Sequence, residues 1–129
     1  MVALDKQQLK PGIKKASVVT EFSTAERCFI SEIANDSDDT EVSIARARVE
    51  PGVTTAWHKL KGITERYLII EGEGRVEVEG LEPIQVSVGD VVRIPPEIPQ
   101  RITNTGKTDL VFYCICSPPF QQDNYESIE

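Results

Sequence analysis

The sequence contains one histidine, one tryptophan and one methionine among 129 residues. No apolar run approaches the roughly 18 residues of a membrane-spanning helix. Residues 1–15 also lack the continuous apolar core of a signal peptide. The three cysteines make an odd number without the spacing of a disulfide framework, so we expect reduced, mostly buried thiols. These absences predict a soluble, cytoplasmic protein without a membrane partner.

Positive charge is scarce as well. The chain has 14 Lys and Arg against 21 Asp and Glu, a formal net charge of −7. A general nucleic-acid binder needs a basic face, so this composition argues against nucleic acid as a partner. A chain of this length forms one domain, here residues 1–129, and buries roughly two-thirds of its unfolded surface. It therefore needs neither a disulfide nor a structural metal to fold.

Helical periodicity is missing, and short alternating segments take its place. Segments such as "RVEVEG", "IQVSVGD" and "VVRIPP" are separated by Gly, Pro, Asn or Asp, which is typical of strands joined by turns. The pattern predicts an all-β sandwich or barrel. We expect residues 1–25 to be a mostly irregular arm, with one short strand or helix around 16–22. We expect the acidic tail 119–129 to be loosely held at its end.

The only histidine, His58, lies on a face with possible partners. In an extended segment it shares its direction with Leu60, and Glu65 shares its direction with Tyr67. A third such face carries Gln100, Ile102 and Asn104. If all three faces line the barrel interior, then His58, Glu65 and Gln100 can converge. Each carries an atom that ligates divalent metals, although alternation alone gives the faces and not their convergence.

Two motifs in the sequence resemble those of the cupin superfamily. The first has the form G-x5-H-x-H-x(3–4)-E-x6-G, and here Gly52, His58, Glu65 and Gly72 fall at its positions. Leu60 stands where the motif has its second histidine. The resemblance implies a cupin-type jelly-roll β-barrel of two packed antiparallel sheets.

The second motif has the form G-x5-P-x-G-x2-H-x3-N. Gly89, Pro95 and Asn104 match it, whereas Glu97 replaces the glycine and Gln100 replaces the histidine. The resemblance covers about residues 41–118, the expected core of the barrel. It implies a divalent metal, Fe, Mn, Ni or Zn, held here by a reduced ligand set.

Two functions stay open on this basis. In the first, His58, Glu65 and Gln100 hold a divalent metal, and the protein is a metal-dependent enzyme of dioxygenase, decarboxylase or isomerase type that acts on a small polar organic molecule. In the second, the barrel has lost its metal, His58 and Glu65 hydrogen-bond each other, and the protein binds a small-molecule ligand without catalysis. The remaining pocket candidates are Leu60, Tyr67, Ile102 and Tyr113.

The outer face of one strand also predicts an assembly. Leu68 and Ile70 lie opposite the face of Glu65 and Tyr67, and a whole strand face of this apolar character is costly to leave in water. We therefore expect a homodimer, with the N-terminal arm as the rival cover.

Overall fold

The computed structural model describes residues 9–16 and 19–129, and these residues contain eleven strands. The strands are β1 (Glu21–Ser23), β2 (Phe29–Ala34), β3 (Ser43–Val49), β4 (His58–Leu60), β5 (Thr64–Glu71), β6 (Glu73–Val78), β7 (Ile84–Ser87), β8 (Val91–Ile94), β9 (Gln100–Asn104), β10 (Leu110–Ser117) and β11 (Tyr125–Ser127). Within the described part of the chain, helix is limited to short 3-10 turns, and none of them has the length or the apolar character to cross a bilayer.

The strands form two antiparallel sheets that face each other. The six-stranded sheet has the order β1-β2-β3-β10-β5-β8, and the five-stranded sheet has the order β11-β4-β9-β6-β7. The predicted all-β jelly-roll barrel is therefore confirmed. Strands β5 and β10 pair with each other inside the larger sheet, with register Tyr67↔Cys114 and Glu65↔Cys116. Both strands turn one face toward the core, whereas the outer-face side chains Leu68 and Ile70 of β5 are only half-buried.

Alternation along the strands builds the core. In β6, Val76 and Val78 are buried while Arg75 is exposed. The same period-2 pattern turns Tyr67 and Ile69 of β5 inward. Most of the apolar core lies between the sheets, in one cluster that includes Val76, Val78, Tyr67 and Ile69. Burial of this apolar surface is the main force that holds the two sheets together.

Two motif positions have the backbone conformation that the motif requires. Gly72 joins β5 to β6 with φ of 78°, and a Cβ there would lie 2.5 Å from the carbonyl oxygen of Asp109. Only glycine tolerates both conditions. Glu97, which replaces the motif glycine, has φ of 70° all the same. Its carboxylate accepts a hydrogen bond from the Gly62 amide at 2.8 Å, which offsets part of the cost of that conformation.

Both chain ends contribute strands to the sheets. Of the short strand or helix expected around 16–22, the structure shows the strand β1, Glu21–Ser23, although residues 17–18 and 1–8 lie outside the described residues. The expectation of a loosely held tail was wrong, because β11 pairs with β4 in the register Tyr125↔Leu60 and Ser127↔His58. The two prolines follow the end of β10, and the tail then joins the edge of the smaller sheet as β11. A pairing between segments so far apart leaves no local signal in the sequence.

Candidate functional site

A cavity of about 120 Å³ lies between the two sheets and contains most of the predicted site. Strands β2, β3, β5 and β10 of the larger sheet contribute one wall, and β4 and the tail contribute the other. His58, Leu60, Glu65 and Tyr67 all line it. The period-2 alternation of β4 and β5 explains why these four side chains point inward.

Gln100 connects the two sheets beside this cavity. Its side-chain nitrogen donates a 2.8 Å hydrogen bond to Oε1 of Glu65, and its oxygen accepts a hydrogen bond from the Tyr67 hydroxyl. Gln100 lies on β9 of the smaller sheet, whereas Glu65 and Tyr67 lie on β5 of the larger one. Gln100 is completely buried, so both halves of its amide need partners, and these two contacts supply them. The convergence of Glu65 and Gln100 was not visible from alternation alone.

His58 is held by contacts other than the one expected. Its Nδ1 lies 2.7 Å from the carbonyl oxygen of Ala56, and its ring stacks on Tyr125 with centroids 5.0 Å apart. The expected hydrogen bond between His58 and Glu65 was wrong, because Glu65 is engaged by Gln100 instead. Burial lowers the pKa of His58, and the Ala56 hydrogen bond opposes this only in part. The imidazole is therefore neutral near neutral pH.

Two buried carboxyl groups give the cavity its acid–base character. Burial raises the pKa of Glu26 to about 7 and that of Glu65 to about 7. For Glu65, the hydrogen bond from Gln100 opposes burial, and the nearby charge of Glu26 adds to it. Glu26 lies in the turn between β1 and β2, and its Oε2 is 3.9 Å from Nε2 of His58. Both carboxyl groups thus titrate near neutral pH, where a proton can be taken up or released.

The three cysteines are free, as expected, and they line the same cavity. Burial raises the pKa of Cys28 to about 12, and it raises those of Cys114 and Cys116 far above the ordinary thiol value. The Cys116 thiol lies 3.8 Å from Oε2 of Glu65 and donates toward it. These groups stay protonated near neutral pH, so they act as apolar walls and weak donors and not as nucleophiles or thiolate ligands.

In this arrangement Gln100 is not oriented as a metal ligand. The oxygen of Gln100 faces Tyr67, and its nitrogen, which cannot ligate, faces Glu65. Within residues 9–16 and 19–129, no group of three or more His, Cys, Asp or Glu side chains is placed to hold a metal. His58 keeps the form of a ligand, because its Nδ1 hydrogen bond leaves Nε2 free.

The tail and the β1–β2 turn meet at the cavity. The Arg27 guanidinium donates to both carboxylate oxygens of Glu129, at 3.1 and 2.6 Å, and its Nε donates to the carbonyl of Thr54 at 2.8 Å. Glu129 also accepts a hydrogen bond from the Trp57 amide at 2.9 Å. These bonds fix the turn that carries Glu26. They also hold the segment that carries Tyr125 over His58.

Two predicted pocket residues lie elsewhere. Ile102 is fully buried in the core cluster, beside the cavity but not on its wall. Tyr113 lies on the opposite face of β10 from Phe112 and Cys114, which do line the cavity. Sequence reasoning missed Glu26 and the tail residue Tyr125. No local signal could have found either, because Glu26 lies in the turn between β1 and β2 and Tyr125 is placed by the pairing of β11 with β4.

Two packed antiparallel sheets around an internal cavity define a jelly-roll barrel. A family model described as a cupin domain matches residues 45–116, more than half of the chain, and the chain belongs to this family. An uncharacterized protein of Methanocaldococcus jannaschii is 36% identical over 87 residues, which cover 67% of this chain and 69% of the relative. An oxalate-binding protein of Thermotoga maritima is 35% identical over 71 residues, which cover 55% of this chain and 58% of that relative.

Solved structures share the fold at low identity. A predicted oxalate decarboxylase of Thermotoga maritima has a TM-score of 0.73 and 23% identity, and the match covers 83% of this chain and 99% of that one. The nucleoside dehydratase Pac13 of Streptomyces has a TM-score of 0.77 and 12% identity, over 93% of this chain and 92% of that one. Identities this low establish the fold alone.

Proposed function

We propose that this cupin binds a small organic molecule in the cavity between its sheets and that it does so without a metal ion. The observation that carries the proposal is the cavity of about 120 Å³, in which Glu26, His58 and Glu65 border the same space among apolar walls. A largely apolar pocket with a few convergent polar groups is the usual form of a small-molecule site. The oxalate-binding relative and the dehydratase with the same fold are both named for small molecules, which supports this class of ligand.

A metal-dependent enzyme of dioxygenase, decarboxylase or isomerase type is the second candidate, and one observation favours it. The Ala56 carbonyl fixes the proton of His58 on Nδ1, so that Nε2 presents its lone pair toward the cavity as a metal ligand would. For Gln100 to join Fe, Mn, Ni or Zn with Glu65, its amide would have to turn and exchange its oxygen and nitrogen. That turn would break its present contacts to Glu65 and Tyr67, which makes this candidate the weaker one.

A cavity-filling variant tests the first proposal. Ala45 lines the cavity from β3, and Ala45→Leu adds three carbon atoms to that space. Ile44→Leu, on the opposite face of the same strand, is the matched control. Small molecules that stabilise the wild-type protein in a thermal-shift screen should stabilise the Ile44→Leu protein equally and the Ala45→Leu protein much less. Equal stabilisation of all three proteins would place the binding site outside the cavity and contradict the proposal.

We also propose a homodimer and a cytoplasmic location. Leu68 and Ile70 are half-buried on the outer face of the larger sheet, where Tyr113 is the neighbour of Leu68 on β10. A second copy that covers this face would remove the apolar side chains from water. The free thiols of Cys28 and Cys116 are typical of a reducing compartment.

A further inference from the structure

The polar atoms that border the cavity include an acceptor without a donor. His58 Nδ1 bonds to a backbone carbonyl, which can only accept, so Nδ1 carries the proton and Nε2 presents a lone pair. The His58 side chain is 6% exposed, and its nearest charged neighbour, Oε2 of Glu26 at 3.9 Å, is another acceptor. Among the described residues, no donor forms a hydrogen bond to Nε2 or to the Glu26 carboxylate. No fully buried side-chain nitrogen or oxygen of the described residues lacks a hydrogen-bond partner, so these two acceptors reach the open space of the cavity, where a ligand that donates can meet them.

The side chains on the cavity wall that can carry a full charge at about pH 8 are all acidic. Glu26, Glu32 and Glu65 line the cavity, and no lysine or arginine of the described residues does. Arg27, which follows Glu26, is engaged outside with Glu129, and Arg66, which follows Glu65, does not line the cavity. Glu65 is bonded only to neutral donors, the Gln100 amide and the Cys116 thiol. An anionic guest would therefore find no compensating charge, whereas a cation would supply the charge that the carboxylates lack.

Aromatic rings make up much of the remaining wall. Phe22, Phe112, Phe120, Tyr67 and Tyr125 line the cavity. The negative face of an aromatic ring attracts cations, and desolvated contacts of this kind are the stronger ones. Rings also cover the apolar body of an organic guest. Aromatic walls together with carboxylates and an imidazole acceptor match one chemical class, the organic ammonium ions.

We propose that the cavity binds a small protonated amine, whose N–H groups donate to His58 and Glu26 and whose charge faces Glu65. An engineered apolar cavity of about 150 Å³ holds benzene, so a cavity of about 120 Å³ suits a compact guest of about five or six non-hydrogen atoms. This inference rests on the proposed function, because it names the class of molecule that the same cavity takes.

Four compact probe molecules separate the contributions of charge, of N–H donors and of shape to binding. tert-Butylammonium and tert-butanol share a shape and differ in charge, tetramethylammonium has the charge without N–H donors, and oxalate is a compact anion. Each is titrated calorimetrically into the full-length, chelator-treated protein at about pH 8, above the pKa of about 7 of Glu26 and Glu65. We expect tert-butylammonium to bind with millimolar or better affinity, at least about tenfold more tightly than tert-butanol or oxalate. Tetramethylammonium should bind more weakly than tert-butylammonium.

Two variants test whether the cation binds in the cavity. Glu26→Gln should weaken the binding of tert-butylammonium by about tenfold and leave tert-butanol unchanged, because it removes charge and little volume. Glu126→Gln, an exposed position on β11, should change neither. Tighter binding of tert-butanol or oxalate would overturn the cation inference while the small-molecule function stands. Failure of tert-butylammonium to bind at millimolar concentration, or cation binding that Ala45→Leu leaves intact, would also overturn the cation inference, whereas the small-molecule function is decided by the thermal-shift screen with Ala45→Leu.

Discussion

Glu65→Gln should make the metal-free protein more stable at alkaline pH. Glu65 is almost completely buried, and burial raises its pKa from 4.5 to about 7. The folded state therefore holds this proton more tightly than the unfolded state does. The contribution of Glu65 to stability is intact below about pH 4.5 and is lost as the pH rises to about 7. At about 1.4 kcal/mol per pKa unit, the loss amounts to about 3 kcal/mol.

Glutamine at this position does not ionise, and its side-chain oxygen can still accept the 2.8 Å hydrogen bond from Gln100. Urea unfolding, followed by the fluorescence of Trp57 with a chelator present, measures the free energy of unfolding at about pH 5 and about pH 8. The variant should resemble the wild type at the lower pH and exceed it by up to about 3 kcal/mol at the higher pH.

Glu77→Gln is the contrasting control. The Arg101 guanidinium donates to Glu77 at 2.8 and 3.1 Å and lowers the pKa of that carboxyl. The contribution of this ion pair is present above the unfolded pKa and fades as the pH falls, so Glu77→Gln should lower stability slightly at about pH 8. If Glu65→Gln instead lowered the free energy of unfolding equally at both pH values, then Glu65 would be ionised in the folded protein and its charge stabilised by its neighbours. That result would refute the prediction.

Three further predictions concern the backbone, the tail and the outer face. Gly72→Ala should lower the free energy of unfolding by about 3 kcal/mol, because a Cβ would meet the Asp109 carbonyl at 2.5 Å. Gly80 has a φ of 95° but open space around it, so Gly80→Ala should cost about 1 kcal/mol in the same urea titration. Arg27→Ala removes the bonds to Glu129, so hydrogen exchange at the Ile128 amide should accelerate while exchange in β10 stays slow. Leu68→Lys should convert the proposed dimer to a monomer near 14.4 kDa in sedimentation equilibrium, and a wild-type protein that is already monomeric at micromolar concentration would contradict the dimer.

The barrel could be predicted because its signals are local. Alternation at Val76 and Val78, with turn residues between short segments, defines strands and their inner faces without any long-range information. The spacing of the two motifs then supplied what alternation lacks, namely that Glu65 of one sheet and Gln100 of the other lie at the same end. The structure brings these two side chains to 2.8 Å of each other.

The partners of His58 could not be predicted in the same way. Its ring stacks on Tyr125, and that contact depends on a strand pairing between β4 and the tail. The position of Glu26 depends on the next residue, Arg27, which has φ of 67° and bonds to Glu129 at a sequence separation of 102 residues. No local pattern reports a contact over such a distance. The choice of donor and acceptor on the Gln100 amide likewise follows from Tyr67 and Glu65 together and not from the motif.

The most direct test of the central claim is the protonation and metal response of the single histidine, measured by NMR. In the metal-free account, the pKa of His58 lies below its ordinary value of 6.5, and stoichiometric Fe²⁺, Mn²⁺, Ni²⁺ or Zn²⁺ leaves its ring signals unchanged near neutral pH. Leu60→His, which restores the histidine of the family motif, serves as the positive control and should create a metal response. Stoichiometric shift or broadening of the His58 signals in the wild-type protein, abolished by Glu65→Gln, would contradict the account and establish the metal site instead.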